Sequence, residues 1–104
     1  MPGHAASWGV GRPDLLSDCN AIYGREINNL ALDPTNEETY TALNAVLSDI
    51  VEATGVSALH LGGDEVVYGC WRSDPNIVSF MEQKGWTDYD LLMNYFVNRA
   101  DLIA

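Results

Sequence analysis

The sequence predicts an α/β fold, and three observations point that way. The run Val56-Ser57-Ala58-Leu59-His60-Leu61 is short, mostly apolar, and bounded by Gly55 on one side and Gly62-Gly63 on the other. That suits a strand covered on both faces in a parallel sheet. Apolar residues recur at helical intervals before it and after it. The chain is also apolar enough to build a core, with 47% hydrophobic and 10% aromatic residues over 104 positions, a size that fits one domain. A single strand cannot make a sheet, so the class rests on helices alternating with a buried strand.

Taken in order, residues 1–33 read as a long loop. Gly3, Gly9, Gly11, Pro13 and Gly24 punctuate it, and no apolar period survives between them. A loop this long inside a compact domain is uncommon and often functional. A helix is predicted over 35–54. Asp33-Pro34 marks its start, Thr35 and Glu38 have capping-box spacing, and Tyr40, Leu43, Leu47, Ile50 and Val51 form one apolar stripe. Gly55 stands where a left-handed C-terminal residue belongs. The strand over 56–61 follows, and then a loop over 62–73. Ser73-Asp74-Pro75 opens a second helix over 75–84, lined by Ile77, Val78, Phe80 and Met81 and ended by Gly85. Thr87 and Asp90 open a third over 88–104, with Leu92, Phe96, Ala100 and Ile103 on its apolar side. The chain begins as a strand ends and stops in mid-helix, the pattern of a segment of something larger.

Composition excludes several roles. Fifteen acids against five bases give a net charge of −10. With no Lys/Arg cluster to neutralise phosphates, nucleic acid is not an expected partner. No apolar run approaches the roughly 18 residues of a membrane span. The opening "MPGHAASWGVG" lacks the basic region and apolar block of a signal peptide, and there is no Asn-x-Ser/Thr sequon. Cys19 and Cys70 form neither a Cys-x-x-Cys nor a zinc spacing; on sequence alone, two buried thiols and one disulfide stand equally open.

The residues that carry chemistry follow the strand. Asp64 and Glu65 stand side by side after Gly62-Gly63, at the end of a strand where α/β folds build their sites. Glycines there let a ligand approach the backbone without a Cβ in the way. Adjacent carboxylates do not suit the ordinary glycosidase schemes, which need two carboxyls about 5 Å or about 6.5–9.5 Å apart across the bond. They do suit a division of labour in which one acid handles a proton and the other positions a second group. Paired carboxyls in a partly buried pocket disfavour each other's ionised forms, so Glu65 is expected to be the protonated acid and Asp64 the ionised partner.

Two blocks carry a family resemblance. "HLGGDEV" at 60–66 with Cys70-Trp71 resembles the His-x-Gly-Gly-Asp-Glu signature and following Cys-Trp of glycoside hydrolase family 20, the β-N-acetylhexosaminidases. "MPGHAASWG" at 1–9 resembles the family's Asp-x-Pro-Gly-His-x-x-Ser-Trp segment one strand earlier. "LDPTNEETY" and "FMEQKGW" extend the likeness along the whole chain, towards the eukaryotic lysosomal or secreted type. The resemblance implies a partial (β/α)8 TIM barrel, from the end of the third strand through the helices after the fourth. Glu65 then matches the general acid/base. Asp64 matches the residue that holds the substrate's 2-acetamido group, whose oxygen is the nucleophile. His4 matches a histidine that supports the acid/base. His60, Gly62 and Gly63 are structural residues near the site, and Cys19 and Cys70 take the positions of a disulfide.

The resemblance further implies exo-hydrolysis of terminal β-linked N-acetylglucosamine or N-acetylgalactosamine, with retention of configuration. The expected partners are N-acetylhexosamine-terminated oligosaccharides, glycoproteins, glycolipids or chitin oligomers, and a homo- or heterodimer of the full-length enzyme. No cofactor and no metal are implied. Trp8, Trp71 and Trp86 are expected to pack rather than bind sugar. The family's first-strand arginine and its later pocket tryptophans, Tyr and Asp have no counterpart within these 104 residues, so the isolated segment is expected to be inactive. The competing readings are a non-catalytic carbohydrate-binding or interaction protein derived from the barrel, and a metal-binding module using His4, His60, Asp64 and Glu65.

Overall fold

A computed structural model describes residues 1–18, 31–63 and 68–103. Two 3-10 turns, Ala6–Val10 and Pro13–Leu15, occupy the described part of the predicted opening loop. Leu16 then pairs with Leu32 in an isolated antiparallel bridge, with Ser17 N–H donating to Ala31 O at 2.9 Å and Asp33 N–H to Leu15 O at 2.7 Å.

Helix α1 spans Glu37–Thr54. Its N-cap is Asn36, whose side chain accepts from Glu38 N–H at 3.0 Å, and not the expected Thr35. Thr35 is engaged elsewhere: its N–H and hydroxyl both donate to Asp33 Oδ1, at 2.8 and 2.6 Å. The expected capping box is therefore displaced by an Asx turn one residue earlier. Gly55 ends α1 at φ 69°, donating to Val51 O. Thr39, Tyr40, Leu43 and Leu47 are buried, but the predicted stripe does not continue, because Ile50 and Val51 are 40% and 42% exposed.

The strand expected at 56–61 is not formed among the described residues, and most of that segment is exposed rather than covered. An extended segment becomes a strand only when a neighbour exchanges hydrogen bonds along it. Met1 meets it, donating its amino group to Leu61 O at 2.7 Å, but no ladder runs beside it. The expected 62–73 loop also changes character, since Tyr68–Ser73 is a short helix, α2.

Helix α3, Pro75–Lys84, matches the expected span. Asp74 caps it, accepting from Asn76 and Ile77, Pro75 fills the first turn, and Gly85 closes it at φ 71°. Helix α4 covers Tyr89–Ile103, and Asp88 Oδ1 accepts from Asp90 N–H at 2.9 Å at its start.

Two apolar clusters hold these pieces, and α4 joins them. Phe96 and Ala100 pack with Ala5, Leu15, Leu32, Tyr40, Leu43 and Leu47. Leu92, one turn earlier, packs with Ala31, Trp71, Ile77 and Met81. The spacing 92, 96, 100 is one helical face, so a single stripe ties α1 to α2 and α3. A clamp adds to it: Arg99 grips Glu37 through both terminal nitrogens at 2.6 Å, and its Cζ lies 3.8 Å over the Tyr40 ring.

Candidate active site

Gly62 and Gly63 have φ values of 73° and 127°, backbone conformations that a side chain strains. The turn is braced by its own neighbour, as Gly62 N–H donates to His60 Nδ1 at 3.0 Å. His60 is exposed, so its ring supplies a backbone bond rather than bulk.

The N-terminal residues run beside this turn. Met1 is bonded to Leu61, and Pro2 O accepts from Leu32 N–H at 3.0 Å. The position a Gly63 Cβ would take lies 3.9 Å from Met1 O and 3.6 Å from Met93 Cε. His4 follows, exposed and with a left-handed φ of 53°, a conformation uncommon outside glycine in which His is enriched. The backbone thus brings Met1 alongside Leu61–Gly63. Asp64 and Glu65 lie outside the described residues, as does Cys19.

Beyond the carboxylates, description resumes at Tyr68. Its hydroxyl donates to Asp90 Oδ1 at 2.6 Å, and its ring stacks on Trp71 at 5.4 Å with the planes 13° apart. Burial, reinforced by the bond to Asp90 and that carboxylate's charge, pushes the Tyr68 phenol up to about 12. Trp71 is fully buried, and its Nε1 donates to Leu32 O at 3.2 Å. Leu32 therefore serves both ends of the segment: its N–H holds Pro2 and its carbonyl holds Trp71. Cys70, next to Trp71, is also fully buried. Trp86 and Trp8 are partly buried against the two apolar clusters.

An open hollow of about 220 Å³ lies between residues 59–62 and α4, where His60 and Asp101 join the apolar Leu59, Leu61, Phe96 and Val97 in its lining. The paired carboxylates stand past Gly63, further along the chain. Among the described residues, no group of three or more His, Cys, Asp or Glu side chains is placed to hold a metal ion. No described helix is long and apolar enough to cross a membrane. Tyr68 and Met93 are not singled out by sequence reasoning, and Asp90 is noted there only as a residue opening the third predicted helix. A pairing across 22 residues, such as Tyr68 with Asp90, leaves no local spacing to find.

The sequence profile described as "Glycosyl hydrolase family 20, catalytic domain" matches residues 1–104, the entire chain. The chain belongs to glycosyl hydrolase family 20. It is 39% identical to the beta-hexosaminidase subunit beta of Homo sapiens, over 99% of this chain and 19% of that protein. Its identity to the beta-hexosaminidase subunit A1 of Dictyostelium discoideum is 38%, over 98% of this chain and 19% of that protein. The subunit alpha of Rattus norvegicus is 39% identical over 92% of this chain and 18% of that protein. The chain spans about a fifth of the length of these relatives. In this family 20 segment, the described residues are the frame on either side of the Asp64-Glu65 pair.

Proposed function

We propose that residues 1–104 are the part of an exo-β-N-acetylhexosaminidase barrel that carries its acid/base. The observation that carries this reading is the run His60-Leu61-Gly62-Gly63-Asp64-Glu65 with Cys70-Trp71, inside a chain that the catalytic-domain profile matches from end to end. The partial (β/α)8 reading is supported by the match of the family's catalytic-domain profile to the whole chain.

The chemistry divides between two carboxyls and the substrate. Protonated Glu65 gives its proton to the glycosidic oxygen as the bond from C1 to that oxygen breaks. The 2-acetamido oxygen of the same sugar attacks C1 and forms a cyclic oxazolinium, so no protein carboxylate bonds to carbon. Asp64, ionised, accepts from the acetamido N–H and balances its developing positive charge. Water then attacks C1, losing its proton to the Glu65 carboxylate, and the ring opens with net retention. This is the substrate-assisted exception to the two-carboxylate schemes. His4 supports Glu65 through hydrogen bonding. Gly62 and Gly63, held by His60, leave room for the sugar at the backbone.

The substrates are the non-reducing N-acetylhexosamine ends of oligosaccharides, glycoproteins, glycolipids or chitin oligomers. The location is lysosomal or secreted, and the full-length enzyme is a homo- or heterodimer. Cys19 and Cys70 form a disulfide. That pairing is supported by Asp18, the residue before Cys19, which is bonded to Ser73 and Asp74 at the end of the helix that carries Cys70. The 104 residues alone do not catalyse.

Glu65→Gln in the full-length protein tests the reading. It is expected to abolish turnover of alkyl or sugar leaving groups, which need the proton, while retaining part of the rate on an aryl leaving group that departs unassisted. Asp64→Asn lowers the rate on both. Normal turnover of natural linkages by the Glu65→Gln variant excludes the assignment.

A further inference from the structure

His4 stands between two anchors. Pro2 and Ala5 are fully buried, whereas His4 is exposed. Its φ of 53° lies in the left-handed region, a strained conformation that persists only where the surrounding structure holds it. Ala5 is held in the core with Leu15 and Leu32, and its carbonyl accepts from Trp8 N–H at 3.0 Å. Pro2 has no N–H, so its carbonyl is its one backbone hydrogen-bonding group. That carbonyl accepts from Leu32 N–H at 3.0 Å.

The neighbours of Leu32 are tied the other way. Ala31 O and Asp33 N–H bond to Ser17 and Leu15. Leu32 therefore keeps its own two backbone groups for the opposite side, its N–H for Pro2 and its carbonyl for the Trp71 indole N–H at 3.2 Å. Leu32 and Trp71 are both fully buried, so water does not replace that bond when the indole N–H is removed. One residue thus links α2, which carries Trp71, to the anchor that precedes His4.

We propose that Trp71 is a positioning residue for His4, acting through Leu32. Its indole N–H fixes the backbone that holds Pro2, and Pro2 with Ala5 holds His4 in the conformation that presents its imidazole. This rests on the supporting role proposed for His4. Trp71 need not touch substrate; its effect is on placement, where a displacement of about 1 Å costs on the order of 100-fold in rate.

The test is a double-mutant cycle in the full-length protein, with Trp71→Phe, His4→Ala and the two combined. Each is assayed for kcat on an alkyl N-acetylglucosaminide, with melting temperature followed alongside. Trp71→Phe keeps an aromatic ring in the core and loses the N–H. It is expected to lower kcat about tenfold, and His4→Ala to lower it further. In the His4→Ala background Trp71→Phe should cost nothing more in kcat, while its effect on melting temperature persists in full. Ile77→Val, a truncation in the same apolar cluster as Trp71, should lower the melting temperature and leave kcat unchanged. Where Trp71→Phe fails to fold, a benzothiophene amino acid at position 71 removes the N–H with the indole shape kept, and the same cycle applies. Wild-type kcat without the N–H, a loss that adds in full to that of His4→Ala, or an equal loss in Ile77→Val would each overturn the proposal. Wild-type kcat in His4→Ala would instead overturn the role of His4, and the positioning with it.

Discussion

The carboxylate of Asp74 reaches back 56 residues to accept the backbone N–H of Asp18 at 2.9 Å. Its other oxygen caps α3, accepting from Asn76 and Ile77 at 2.9 and 3.4 Å. Ser73 Oγ lies 3.0 Å from both Asp18 O and Cys70 O, so the chain entering Cys19 is fastened to the helix bearing Cys70. One side chain thus holds the chain at Asp18 and starts a helix.

The proposed Cys19–Cys70 disulfide has a measurable consequence. It closes a loop of about 50 residues, worth about 4 kcal/mol in the chain-entropy account. Protein made under oxidising conditions and denatured without reductant should show no titratable thiol, and reduction should lower its melting temperature substantially. Asp74→Ala should cost about 2 kcal/mol, from the lost cap and the stranded Asp18 N–H together, and Asp74→Asn should recover part of it. Two reactive thiols in the denatured, unreduced protein would refute the disulfide.

Helices α1, α3 and α4 were legible in the sequence because their boundary signals are local, whereas α2 lies where a loop was expected. Asp74-Pro75 and Gly85 bracket α3, and Gly55 ends α1, each through groups within one turn. Where a competing local bond exists the reading slips by a residue, as when Asp33 takes Thr35 and leaves the cap to Asn36. The strand predicted at 56–61 is not formed, since strand structure depends on a partner that local composition does not reveal. Ile50 and Val51 followed the helical period yet remain half-exposed, because period identifies a face and not what covers it. At the site, the pattern picks out Asp64, Glu65 and His4 by residue type. It is silent on the supports, Tyr68 with Asp90 and Trp71 with Leu32, which join positions 22 and 39 residues apart.

Two carboxyls should give the acid limb of stability opposing slopes. Asp33 is buried, and desolvation raises it above its ordinary 3.8 despite the bonds from Thr35, with Asp74 adding to the rise. A raised carboxyl favours the protonated folded state, so its contribution is full below 3.8 and is lost as pH climbs through the raised value. Glu37 is lowered from 4.5, first by its hydrogen bonds from Arg99. Its contribution is present above 4.5 and lost as pH falls through the lowered value, and as an exposed pair it is worth at most about 1 kcal/mol. Denaturant midpoints across this range should show Asp33→Asn removing the loss on rising pH and Glu37→Gln removing the loss on falling pH. Parallel shifts at every pH in both variants would contradict these assignments.

Gly63→Ala separates strain from clash at the candidate site. A Cβ there would meet Met93 Cε at 3.6 Å and Met1 O at 3.9 Å, ordinary contacts that cost little. The φ of 127° is another matter, since a side chain in such a sparsely populated region costs about 1–3 kcal/mol. The chain relieves that strain by rotating the backbone, and the next residue is Asp64. Activity per folded molecule should therefore fall much further than stability, because displacements of about 1 Å in a catalytic group cost on the order of 100-fold. Gly55→Ala is the matched control. It too sits at positive φ, 69°, with nothing within 4 Å of its Cβ position, but it ends α1 and does not precede Asp64. It should lose about 1–2 kcal/mol of stability and keep its turnover number. Melting temperature and kcat for both variants of the full-length protein check this, and equal kcat values would show that the Gly63 conformation does not position Asp64.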